Sequence, residues 1–202
     1  MQPGKRPPFE SVILAGGAGA RFGGGKLLAP YRGGRLLDGA LRAALSAPVQ
    51  RAILVTGFEG EAVREAALSF VGADHAGARL DIIHAADHAE GMAASLRAGI
   101  AAVSRGAAGA FIFLGDMPDI PPSVAQRLAG RLGDHAAAAP FYAGRRGHPV
   151  LVAARLFPAL ARLSGDQGAR AALAGLGDDL VQVEVEDGRI FFDVDLRSDI
   201  GL

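Results

Sequence analysis

The 202 residues carry 21 basic and 21 acidic side chains, no cysteine, and 50% hydrophobic residues. That balance excludes a global field for nucleic acid or an anionic membrane, and the absent thiols exclude disulfides, thiolate metal sites and a cysteine nucleophile. A half-apolar chain of this length fits one domain over residues 1–202, with strands buried on both faces.

Residues 1–9, with three prolines, read as a loose lead-in. Lys5-Arg6 ahead of an apolar run resembles the start of a signal peptide, but that run is too short and meets glycine at once. No apolar run approaches the length of a membrane span, so a cytoplasmic protein is expected. Val12 to Ala15 predicts a buried strand, and it breaks into a loop with six glycines that ends on Lys26. Glycines let the backbone approach a ligand with its N–H groups turned inward, and such a concavity binds anions. Arg21 and Lys26 add full positive charges to it, which suits a phosphate chain. The chain uses Arg nineteen times and Lys twice, so a lysine in this loop points to a need for a compact ammonium, coincidence being the alternative. As an exposed loop residue, Lys26 is expected to add little packing. Walker A is not met, because Leu27 follows the lysine, and G-x-G-x-x-G fails at Phe22.

Leu36, Leu37, Ala40, Leu41, Ala44 and Leu45 recur at helical spacing up to Pro48. A strand over 51–57 is followed by a helix over 61–70, a strand over 80–84 and a helix over 92–103 entered through Glu90-Gly91. Ala110 to Leu114 is the most apolar strand and runs directly into Gly115-Asp116-Met117-Pro118. Pro121-Pro122 opens a helix over 123–132. Strands over 136–141 and 150–153 and a helix over 167–174 come next. Segments 180–185 and 190–194 flank Asp187-Gly188 and predict an antiparallel edge hairpin. The alternation implies an α/β fold, a Rossmann-like three-layer sandwich with a mostly parallel sheet, and ligands outside the carboxyl ends of the strands.

At the mouth of its strand, Asp116 suits a hard divalent cation shared with phosphate oxygens; the alternative is a helix cap. Asp193 and Asp195 flank Val194 and are expected to face opposite sides, so that one joins Asp116 at a metal while the other is solvated. His148, between Arg145-Arg146-Gly147 and a strand, is a candidate for an anionic or polar acceptor, or simply a structural histidine. His75, His84, His88 and His135 follow no ligand spacing, and Met92 and Met117 read as packing residues.

The loop Leu14 to Lys26 resembles the signature loop of MobA-like nucleotidyltransferases. Leu54-Val55-Thr56-Gly57-Phe58, Glu90 to Gly99, Gly115-Asp116-Met117-Pro118, Gly147-His148-Pro149-Val150, Gly165 to Arg170 and Asp193-Val194-Asp195 match that family in the same order. The Glu90-to-Gly99 and Gly-His-Pro segments look most like its molybdenum cofactor cytidylyltransferase branch. The resemblance implies a Rossmann-like domain that transfers CMP from CTP to the phosphate of a molybdopterin cofactor. It implies a nucleotide held by Leu14, Ala15, Gly16, Gly17, Ala18, Gly19, Arg21 and Lys26, bordered by Thr56, Gly91 and Ser95, with Arg21, Lys26 and Asp116 catalytic. Asp116 and Asp195 match the Mg²⁺ positions, Gly147 and His148 the acceptor side, and the implied recipient of the product is a molybdoenzyme of the xanthine dehydrogenase type. The chain departs from the family where Leu196-Arg197-Ser198-Asp199 follows Asp195 and where Ala85-Ala86 replaces Asn-Pro. Rival readings are a same-fold transferase using GTP or a sugar-phosphate acceptor, a non-catalytic cofactor carrier, and a nicotinamide- or flavin-dependent oxidoreductase. The last lacks the ribose-binding acid expected at the end of the second strand, where Thr56-Gly57-Phe58 stands.

Overall fold

A computed structural model describes residues 9–74, 77 and 79–201. The lead-in expected over residues 1–9, apart from Phe9, and His75 lie outside them. In chain order the elements are β1 (Phe9–Ala15), β2 (Pro30–Tyr31), β3 (Gly34–Arg35), α1 (Leu36–Leu45), β4 (Val49–Thr56), α2 (Gly60–Asp74), β5 (Leu80–His84) and α3 (Met92–Ala102). They continue with β6 (Gly109–Leu114), α4 (Pro122–Arg131), β7 (Ala137–Tyr142), β8 (Arg145–Arg146), β9 (Val150–Ala153), α5 (Phe157–Leu160), α6 (Ala169–Leu173) and β10 (Leu180–Glu184).

The main sheet has the order β10-β7-β9-β6-β1-β4-β5, with β8 paired to β7. β1 pairs in parallel with β4 on one side and β6 on the other, β4 with β5, and β10 with β7. β9 runs antiparallel to both β6 and β7. This is a mixed, mostly parallel sheet of Rossmann-like architecture, with a separate antiparallel pair β2-β3. Side-chain alternation divides the core. Ile13, Leu54, Phe111 and Phe113 pack on one face with α1, α2 and α4, while Val12, Ile53, Val55 and Ile112 pack on the other with α3, α5 and α6. Both faces are apolar because both are covered.

The chain leaves β1 to one side for β4 and β5 and returns on the other side as β6. A crevice therefore opens between the carboxyl ends of β1 and β6, where strand order reverses. The Gly115 N–H donates to the Leu14 carbonyl at 2.9 Å, so the ends of these two strands stay level.

The expected edge hairpin is not formed. β10 is a lone edge strand parallel to β7, and Gly188–Phe191 winds as a 3₁₀ turn. The Asp187 carboxylate accepts the Arg189 N–H at 2.9 Å, so Asp187-Gly188 starts a turn rather than a two-residue hairpin loop. Fully buried Ile190 draws the segment onto the core, and the chain is carried back over the carboxyl ends of the strands instead of along the sheet edge.

Candidate active site

The glycine loop is anchored at both ends by burial. Phe22 and Leu27 enter the core, and between them Gly23, Gly24 and Gly25 take φ of 90°, 86° and 63°. Those left-handed angles strain any residue with a Cβ, so the glycine run is a conformational requirement. The Gly25 N–H donates to a Glu59 carboxylate oxygen at 3.1 Å, which ties the loop to the residues after β4. The turn delivers Lys26 inward. Its side chain is 12% exposed, and Nζ lies 2.7 Å from Asp116 Oδ2 and 3.7 Å from Asp195 Oδ1. Lys26 is thus not the exposed loop side chain expected from the sequence.

Arg21 donates to the other Asp195 oxygen at 2.5 Å, so two cations and two carboxylates from three distant segments meet at the crevice. The Val194 N–H donates to the Asp116 carbonyl at 3.0 Å, and the buried Val194 side chain pins the segment over the strand ends. Asp193 and Asp195 do not face opposite sides: both line the same cleft. Residues two apart in an extended segment share a face, so burying Val194 turns both neighbours toward the opening. Desolvation and the charges of Asp116 and Asp195 push the Asp193 carboxyl above the usual carboxylate range. Asp199 accepts the Asp195 and Leu196 N–H groups at 2.9 and 2.7 Å, which holds its carboxyl low and commits it to the backbone. Leu196 to Asp199 therefore supplies the turn that presents Asp195.

The cleft, about 680 Å³, is lined by Leu14, Gly16, Gly17, Ala18, Arg21, Gly91, Ser95, Asp116 and Asp195. Gly19 and Lys26 line an adjoining hollow with Arg21 and Asp195. Ala15 and Thr56 do not line it. Ala15 is buried beneath the loop, and the Thr56 hydroxyl turns into the sheet to donate to the Ile83 carbonyl at 3.2 Å. Phe58, His88, Ala89, Met92, Leu114, Asp166 and Asp193 complete the wall. In the sequence His88 follows no ligand spacing and Met92 reads as a packing residue, whereas the structure brings His88 and exposed Phe58 and Met92 to this wall. Phe58 and Met92 stand in segments that carry the resemblance. Asp166 is carried against Gly91, whose φ of 113° and close approach to the Gly165 backbone leave no room for a Cβ. Arg97 fixes the same wall, donating to Asp87 and Glu90 and, at 3.0 Å, to the Leu163 carbonyl.

Gly147 and His148 lie in a second cavity that shares Leu114 and Asp193 with the cleft. Burial, reinforced by Arg146 and Arg170 against the opposing pull of Asp116, lowers His148 to about 4, so it is neutral at pH 7. Among the described residues no group of three or more Asp, Glu and His side chains is arranged to hold a metal by itself, and no helix is long and apolar enough to cross a membrane. Two carboxylates completed by ligand phosphate oxygens is a donor set that Mg²⁺ accepts. Asp116 and Asp195 meet that description, with Lys26 and Arg21 as their partners.

The profile of the MobA-like NTP transferase domain matches residues 11–182. The molybdenum cofactor cytidylyltransferase of Escherichia coli K12 is 30% identical over 192 residues, which cover 95% of this chain and 93% of that protein. Nicotine blue oxidoreductase of Paenarthrobacter nicotinovorans is 34% identical over 178 residues, covering 83% and 82%. The crystal structure of Rv0371c from Mycobacterium tuberculosis H37Rv superposes with a TM-score of 0.80 at 30% identity over 96% of both chains. The same protein in complex with manganese superposes at 0.75 and 29% identity over 95% of both.

Proposed function

This chain belongs to the MobA-like NTP transferase family and is a nucleotidyltransferase, and from that premise we propose that it transfers CMP from CTP to the phosphate of a molybdopterin-type cofactor. The observation that carries this reading is the meeting of Lys26, Arg21, Asp116 and Asp195 at the mouth of the glycine loop. An oxygen of the acceptor phosphate bonds to the α-phosphorus of the nucleotide. The bond from that phosphorus to the bridging oxygen breaks, and pyrophosphate leaves with the electron pair. The acceptor supplies the nucleophile, so catalysis rests on positioning and charge neutralisation. Arg21 and Lys26 neutralise the triphosphate. Asp116 and Asp195 would hold a divalent cation, Mg²⁺ in this reading, which when bound offsets charge on the departing pyrophosphate. The manganese complex of the mycobacterial relative supports divalent-metal use, and the Escherichia coli relative supports the choice of CTP and acceptor. The product would pass, in the cytoplasm, to a molybdoenzyme of the xanthine dehydrogenase type.

The purified protein, incubated with each of the four NTPs, Mg²⁺ and the molybdopterin cofactor, should release pyrophosphate fastest with CTP and only when the acceptor is present. Faster release with GTP would move it to a guanylyl-transferring reading. The Paenarthrobacter relative favours a second reading, an oxidoreductase. That reading requires acceptor-dependent oxidation of NAD(P)H by the same protein, followed by absorbance. The residues after β4, Thr56-Gly57-Phe58, offer no ribose-binding acid for it.

A further inference from the structure

Beyond Asp193 the cleft adjoins the second cavity, about 220 Å³. Its lining joins apolar Leu114, Val150, Leu173 and Ile190 to three arginines, Arg145, Arg146 and Arg170. The Arg145 guanidinium stacks 4.4 Å above the Phe191 ring. Arg146 and Arg170 have no ion-pair partner among the described residues. They lie close enough to act on each other, burial and Arg170 together holding the Arg146 guanidinium below its ordinary range. Neutral His148, close enough to feel both, adds no charge, and Asp193 at the border is acted on by Asp116, Asp195 and Lys26. Two neighbouring cations that lack a counter-ion, Arg146 half-buried and Arg170 exposed, repel one another, and an oxyanion placed between them removes that cost. Guanidinium forks also match phosphate oxygens bidentately.

We propose that this cavity seats the acceptor, with Arg146 and Arg170 clamping a phosphate monoester and the apolar lining residues taking the body of the molecule. The assignment rests on the nucleotidyl-transfer reading and names the residues that select an anionic acceptor. Its position fits the reaction: the cavity meets the nucleotide cleft at Leu114 and Asp193, and the cleft is also lined by Asp116.

Calorimetry with inorganic phosphate as the probe tests it, at fixed ionic strength and with the cleft saturated by CTP and Mg²⁺ so that the loop cannot take the probe. The wild-type protein should bind phosphate, and Arg146→Gln and Arg170→Gln should each weaken that binding about tenfold or more while the CTP affinity stays within about twofold. Absence of phosphate binding to the CTP-loaded protein, or unchanged phosphate affinity in both variants, overturns the seat and leaves the transferase reading standing. If no nucleotide binds the wild-type protein, the transferase reading fails and the seat fails with it. Where a Gln variant loses CTP binding as well, Arg146→Lys decides. Weaker phosphate binding with CTP retained supports a bidentate clamp, and wild-type phosphate affinity overturns it.

Discussion

Lys26 holds the site together because, among the described residues, it is the one cation that reaches both Asp116 and Asp195. Lys26→Ala should slow pyrophosphate release by roughly one to three powers of ten, the scale of a preorganised charge acting on a transition state. Lys26→Arg should not restore the rate, since a planar fork does not replace a compact ammonium between Asp116 and Asp195. An unchanged rate in the alanine variant would remove Lys26 from the site. Among the acids, Asp116→Asn and Asp195→Asn should weaken Mg²⁺-dependent CTP binding more than metal-free binding, and the double variant should be little worse than the worse single, because groups acting on one ion are non-additive. Asp193→Asn, expected from the sequence alone to be silent, should instead change that binding severalfold, since its carboxyl lies in the cleft beside the other two. His148 is neutral in the folded protein, its value lowered from 6.5 to about 4 by burial and by Arg146 and Arg170. A depressed histidine means that the unfolded chain takes up the proton first. Stability is therefore full above 6.5 and falls as pH drops from 6.5 toward 4. Urea titrations across that window should show the loss, and His148→Gln should flatten it.

At the scale of elements, the position of Asp116 is set by helix α1 rather than by its own strand alone. Gly39 lies against the 115–118 turn, and a Cβ there would overlap the Pro118 carbonyl oxygen. Gly39→Ala must push the helix and the turn apart. Overpacking of this kind costs about 1–3 kcal/mol. The helix gains intrinsic propensity from the change, so a loss of stability together with a weakened Mg²⁺ dependence would mark the contact as the support of Asp116. Wild-type metal dependence in a merely destabilised variant would show that the turn does not need it. Glu59 plays the matching part for the loop, accepting the Gly25 N–H from a residue that itself holds φ at 52°.

Across the whole molecule, the site is assembled from segments as far apart in sequence as Arg21 and Asp195, 174 residues. A ligand that bridges them stabilises the folded state as a unit. CTP with Mg²⁺ at about 100 times its Kd should add about 2.7 kcal/mol, which for a chain of this size is a rise in Tm of roughly 5–10 °C. Thermal denaturation with and without nucleotide measures it, and Asp116→Asn should lose most of the rise. A rise of the same size without metal would argue against a shared ion.

The sequence by itself determined most of the elements and the glycine-loop half of the site. Apolar strands such as Val12 to Ala15 and Ala110 to Leu114 are legible because burial on both faces demands unbroken hydrophobic runs, and the glycine loop because left-handed φ angles demand glycine. Lys26, Arg21 and Asp116 follow, since each stands at a fixed distance from such a strand. Tertiary structure alone decided what lies opposite them. The 188–195 segment folds across the sheet because Ile190 and Val194 find a core there, and local alternation cannot distinguish that from an edge strand. The same packing turned Asp193 into the cleft, sent the Thr56 hydroxyl into the sheet, and brought Phe58, His88 and Asp166 to the wall. Arg146 and Arg170 became neighbours for the same reason: burial is a property of the assembled layers, and two arginines 24 positions apart reveal nothing of a shared cavity until β8 and α6 are packed together.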